Sequence, residues 1–212
     1  MNLPSLAVAE QLLAEAAQRN PGPWVPHSRH VALAAQLIAE RHPRLDPETA
    51  YVLGLLHDIG RREGRSHIRH LIDGYRYLSD LGYAAAARIS LTHSFPIPDI
   101  RVYAGEQDCS PQDLDFLEQF ITKVQFTEYD RLIQLCDAVA LPEGFCLMEK
   151  RMVDVALRLG VNDLTLAGWE ARFQIKAEFE AVIGASIYTI LPGIIEGTFG
   201  VGVDELFVDG RT

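Results

Sequence analysis

Apolar residues recur at three- and four-residue intervals over most of this chain, while strict apolar–polar alternation is confined to short pieces. A 3.6-residue period gathers such residues on one helix face, so the expected fold class is all-α. Helices are expected at roughly 4–18, 27–41, 46–59, 66–81, 84–93, 112–123, 128–140, 145–159, 168–184 and 186–196. Asn20-Pro21-Gly22-Pro23 stops the first helix, Asp46 with Pro47 starts the third, and Gly60 follows its end. With 212 residues, 48% of them hydrophobic, the chain has material for a full core. Surface scaling lets such a chain bury about 70% of its surface. Neither an internal repeat nor linker-like composition divides it, so 1–212 is expected as a single domain.

Two segments escape the helical pattern. Residues 94–111, SFPIPDIRVYAGEQDCSP, hold three prolines and no sustained period. A loop that long in a compact domain is a lid or binding element, or else an irregular surface connection. The end, GTFGVGVDELFVDGRT, is glycine-spaced and alternating, which fits a short hairpin or an extended tail. Gly200 and Gly202 have no strand-to-helix context and are not a phosphate loop.

Charge and cysteine content narrow the function. Nineteen basic against 29 acidic residues give a net charge of −10, which disfavours binding to a polyanionic backbone. No apolar run approaches the roughly 18–20 residues of a membrane span. The opening MNLPSLAVAEQLLAEAAQRN lacks a basic start and reads as a first helix, so a cytoplasmic location is expected. Cys109, Cys136 and Cys146 have no C-x-x-C spacing and are expected as reduced, mostly buried thiols.

The histidines point to chemistry. His57 and Asp58 end the apolar segment YVLGLLHDIG, where an unpartnered carboxylate would be expensive and a metal ion would supply a partner. His27 stands in line with Val31, Ala34 and Ile38 on an inward helix face. His70 aligns with Gly74, Tyr77 and Leu81, His93 closes ARISLTH, and Asp137 sits inside the apolar run LIQLCDAVA. A lone core histidine is more often hydrogen-bonded than ligated, and Asp137 by itself reads as well as a buried residue bonded to backbone. His30 and His67 share the faces of His27 and His70 three residues away.

In order, HSRHVALAAQLIAE, GLLHDIGR, HLIDG, SLTHS and LCDAVA resemble the HD superfamily of metal-dependent phosphohydrolases over roughly residues 20–142. The resemblance implies a helical bundle with additional C-terminal helices from about 143 to 212, and metal ligands His27, His57, Asp58, His70, His93 and Asp137. The H-S-x-x-V-A and H-x-x-x-G spacings favour His27 over His30 and His70 over His67.

Imidazoles and carboxylates without thiolate suit Mn, Fe, Co, Ni or Zn rather than Ca. Six side chains exceed what one open site needs. If Asp58 bridges, one ion takes His27, His57 and Asp137 and a second takes His70 and His93. A one-metal site on His27, His57, Asp58 and Asp137 would instead leave His70 and His93 to contact phosphate or act as general acid. Asp58, Arg61, His70 and His93 are thus the expected catalytic residues.

Arg61, Arg62, Arg65, Arg69 and Arg76 cluster after the doublet in an acidic chain, and guanidinium groups grip phosphate bidentately. Arg61 and Arg65, with Thr92 beside His93, are the expected substrate contacts, and Lys123 is a further candidate. The expected substrate is a small phosphorylated molecule, a nucleotide or dinucleoside polyphosphate, attacked by a metal-activated water. Two alternatives remain on the same ligands: a mixed-valent di-iron oxygenase and a regulatory module that binds nucleotide without turnover. No catalytic pattern follows residue 142, where amphipathic helices are expected to cap the bundle or form a homodimer surface.

Overall fold

In the computed structural model, residues 2–200 are described, and they form a helical bundle with one two-stranded hairpin. Helix α1 (Leu6–Arg19) starts where the Ser5 hydroxyl accepts the Val8 N–H, and it buries Ala9, Leu12, Leu13 and Ala16. Helix α2 (Trp24–Ala39) turns His27, Val31, Ala34, Ala35 and Ile38 inward. Helix α3 (Pro47–Leu56) begins with Asp46 accepting the Thr49 N–H at 2.7 Å and Pro47 in the first turn. Its last five residues, Val52 to Leu56, are all buried, so α3 is the central helix, wrapped by its neighbours. A Cβ on Gly54 would stand 2.7 Å from the Ala32 Cα, and this close approach sets how tightly α2 lies on α3.

After Leu56 the chain tightens into a 3-10 turn, Ile59–Glu63, where a helix was expected to run on to 59. Helices α4 (Arg69–Asp80) and α5 (Ala84–Thr92) pack on each other. The 94–111 segment is anchored rather than loose: Phe95 is fully buried, Ile100–Val102 make a 3-10 turn, and Ile100 and Val102 join Leu71, Leu91 and Leu117 in a second core. Helix α6 (Pro111–Lys123) follows, then α7 (Glu128–Asp137), begun by a reciprocal cap between Thr127 and Asp130.

Helix α7 ends three residues short of the expected boundary because strands β1 (Ala140–Leu141) and β2 (Gly144–Phe145) form an antiparallel hairpin, pairing Ala140 with Phe145. Helix α8 (Met148–Leu159) and helix α9 (Thr165–Ile183) come next. The helix expected at 186–196 is divided into α10 (Ile187–Ile190) and α11 (Ile194–Phe199) by Leu191-Pro192-Gly193, since proline cannot continue the hydrogen-bond ladder. The first residues of the expected terminal hairpin or tail instead finish α11, and 201–212 lie outside the described residues. All three cysteines are free thiols. No helix among the described residues is long and apolar enough to cross a membrane.

Candidate metal centre

Four elements bring the histidines together. His57 caps the C-terminus of α3, where its Nδ1 meets the Gly54 carbonyl at 2.7 Å. His70, in the first turn of α4, uses Nδ1 on the His67 carbonyl. His93 caps α5, its Nδ1 3.2 Å from the Ile89 carbonyl. A carbonyl has no proton to give, so each of these rings carries a proton on Nδ1 and turns its Nε2 to the interior. His27, on the first turn of α2, places Nε2 2.9 Å from Asp137 Oδ1 at the end of α7.

Asp58 lies at the meeting point. Its Oδ2 accepts from Arg61 Nε at 2.6 Å and stands 3.8 Å from His57 Nε2. Its Oδ1 stands 3.0 Å from His70 Nε2 and 3.6 Å from His93 Nε2, yet accepts no hydrogen bond. His57 Nε2 is also buried without a partner. Polar atoms without a partner therefore face one another in a buried site, with Arg61 Nη2 at 3.4 Å from His70 Nε2. Such an arrangement is costly without a cation between them. Two triads fit one: His27, His57 and Asp58, and Asp58, His70 and His93, with ligand atoms in each within 4.8 Å of one another and Asp58 common to both. Asp137 Oδ1 lies beside the first triad, 4.0 Å from His57 Nε2.

The electrostatics agree with a ligand role. Burial holds the His93 imidazole down at about 3 and lowers that of His57, so both are neutral at pH 7. Burial alone would raise the Asp58 carboxyl, but the Arg61 guanidinium beside it outweighs burial and holds it well below the carboxylate range. At Asp137 burial is likewise opposed, here by the His27 hydrogen bond, and the group stays ionised.

The centre forms one wall of a cavity of about 900 Å3. Arg61 and Arg65 line it, and Arg65, exposed, has no partner among the described residues. The other arginines of the cluster are engaged elsewhere: Arg62 stacks on the Tyr77 ring at 3.8 Å, Arg69 pairs with Asp73, and Arg76 pairs with Asp113.

Thr92 requires a correction. It was expected to touch substrate, yet it is 0% exposed and gives its hydroxyl to Asp130 Oδ1 at 2.6 Å. Its side chain points from α5 towards α7 because Asp130, buried beside Arg88 and Thr127, needs donors on every side. Lys123 is exposed at the end of α6 and does not line the cavity. His30 sets its ring edge-on to Phe145, and His67 contributes backbone groups, its N–H to Asp108 and its carbonyl to His70.

A further part of the lining was not read from the sequence. Arg151, Arg158 and Trp169 make it up, together with Arg172. Arg151, Asp154 and Arg158 recur at helical spacing on α8, a signal that was present, but a charged helix face is ordinarily a solvated one.

The sequence model of the HD domain matches residues 25–141, more than half of the chain. No curated protein and no solved structure matched the chain.

Proposed function

Because the chain belongs to the HD domain family, whose members are in general metal-dependent phosphohydrolases, we propose that it hydrolyses a phosphate ester or anhydride of a small molecule, a nucleotide or dinucleoside polyphosphate. The observation carrying this reading is the convergence of histidine Nε2 atoms on an Asp58 oxygen that accepts no hydrogen bond. His27, His57, Asp58, His70, His93 and Asp137 would hold one or two divalent transition-metal ions, with Asp58 the shared ligand. When bound, the metal would supply Lewis acidity towards a phosphoryl oxygen and a lowered pKa for the attacking water.

The chain's own residues supply the rest. The three Nδ1–carbonyl bonds fix ring orientation and tautomer, so the donor atoms are placed before ligand arrives. Arg61 holds Oδ2 of Asp58 and directs Nη1 to the Ser66 carbonyl at 3.3 Å, which positions the carboxylate and keeps a cation beside it. Arg65 offers an unpaired guanidinium to phosphate oxygens at the same cavity.

A phosphate-release screen over nucleotides, dinucleoside polyphosphates and small phosphate esters tests the proposal, with metal-loaded and chelated protein side by side. Metal-dependent release from at least one class supports it. If every class fails and the iron-loaded protein instead takes up oxygen with a phosphonate or polyol, the chemistry is oxygenation.

A further inference from the structure

The cavity is far more basic than the chain around it. Arg61, Arg65, Lys150, Arg151, Arg158 and Arg172 line it, against Asp58, Asp137, Glu143 and Asp154, in a protein of net charge −10. Two of those four carboxylates belong to the metal centre. On the wall formed by α8 and α9, three guanidinium groups face a single carboxylate: Arg151 and Arg158 both reach Asp154 Oδ2, at 3.2 and 3.0 Å. Arg151 Nε is buried without a partner. Arg172 hydrogen-bonds no carboxylate, only the carbonyls of Gly168 and Ser94 at a long 3.4 Å, although Asp137 of the centre lies within range of its charge. Cations lining a cavity with fewer carboxylates than guanidinium groups favour the entry of an anion.

We infer that this wall is a second anion-binding subsite, so that the substrate carries a second phosphate group, held by Arg151, Arg158 and Arg172, apart from the one at the His/Asp centre. The inference rests on the phosphohydrolase reading and narrows it to multiply phosphorylated substrates. Arg172 reaches the carbonyl of Ser94, the residue after His93, so the positive wall begins beside the centre. Arg158, 52% exposed, carries it towards solvent. Trp169, one turn before Arg172 on α9, adds an aromatic face to the same wall. A cavity of about 900 Å3 is also more than one phosphate needs, lying high in the range of roughly 300–1,000 Å3 that houses drug-sized ligands. All three arginines lie beyond residue 141, where the family match ends, so this selection is made by helices outside the matched region.

The test compares one-headed with two-headed anions. Methylphosphonate and a series of α,ω-alkylene bisphosphonates, none of them hydrolysable, are titrated calorimetrically into the metal-loaded protein. At least one bisphosphonate should bind roughly tenfold or more tightly than methylphosphonate, because its second head binds at high effective concentration. Arg172→Gln, which keeps an amide donor for the two carbonyls, and Arg158→Ala, at an exposed position, should each remove most of that advantage. Methylphosphonate affinity and metal content should stay unchanged in both. Equal weakening of both ligand types, no weakening of either, or a wild-type protein without preference for two heads overturns the second subsite and leaves the phosphohydrolase reading standing. Failure of the metal-loaded wild type to bind any phosphonate removes both.

Discussion

His27 Nε2 meets Asp137 Oδ1 at 2.9 Å across 110 residues, tying the first turn of α2 to the last residue of α7. The same contact draws the two ends of the family-matched segment, 25–141, to one point. His27→Ala leaves the Asp137 carboxylate without its hydrogen-bond donor, which costs about 1–3 kcal/mol. In chelator-treated protein the melting temperature should therefore fall by roughly 2–12 °C for a chain of this size. An unchanged melting temperature would show that the bond contributes nothing to the metal-free fold.

Arg61 has two tasks, and its removal should show both. Arg61→Ala is expected to weaken an anionic ligand by about 1.5–3 kcal/mol, the range for hydrogen bonds to charged groups. It should also loosen metal binding by about 10–100-fold, because Asp58 loses the group that orients it. Phosphonate titrations at saturating metal, set beside metal titrations without ligand, separate the two effects. Full ligand affinity in the variant at saturating metal would leave Arg61 as a positioning residue only.

Thr92 is expected to matter for stability and not for substrate. Thr92→Val keeps the shape but removes one of the donors around buried Asp130, at a cost of about 1–3 kcal/mol. Thermal unfolding should report the loss while KM for any identified substrate is unchanged. A KM effect without destabilisation would return Thr92 to the site.

Acid sensitivity should arise partly at Asp108. Burial raises this carboxyl, but the His67 and Arg69 N–H groups, at 2.8 and 2.9 Å, outweigh it and bring the folded value below the ordinary one. The unfolded state then binds the proton more tightly, so the stabilisation is complete above about pH 4 and is lost as pH falls through the folded value. Asp108→Asn should be less stable than wild type at pH 7, with the gap narrowing below about pH 4. A gap independent of pH would mean that the carboxylate's charge contributes nothing. These two bonds hold the start of α4, and with it His70, against the 94–111 segment.

The helical fold was legible because its period is a local signal, and the His/Asp series was legible through the resemblance of its motifs, in their order, to the HD superfamily. His57 and Asp58 stood out as polar residues on an apolar helix, and His27 and His70 could be separated from His30 and His67 by spacing. What could not be read was direction across the interior. Thr92 and His93 are neighbours in sequence, but His93 faces Asp58 while Thr92 turns to Asp130, a partner 38 residues away. The arginines of α8 and α9 were hidden for a similar reason: nothing local distinguishes a charged face lining a cavity from one facing water. The β1–β2 hairpin was too short to leave an alternating pattern.

Metal content per chain, measured for the wild type and for Asp58→Ala after equal exposure to Mn, Fe, Co, Ni and Zn, tests the central claim most directly. With Asp58 shared by both histidine groups, the wild type should retain one or two ions per chain. The variant should retain none while its helical circular dichroism is preserved. Equal metal stoichiometry in the two proteins would contradict the account and make Asp58 a structural partner of Arg61.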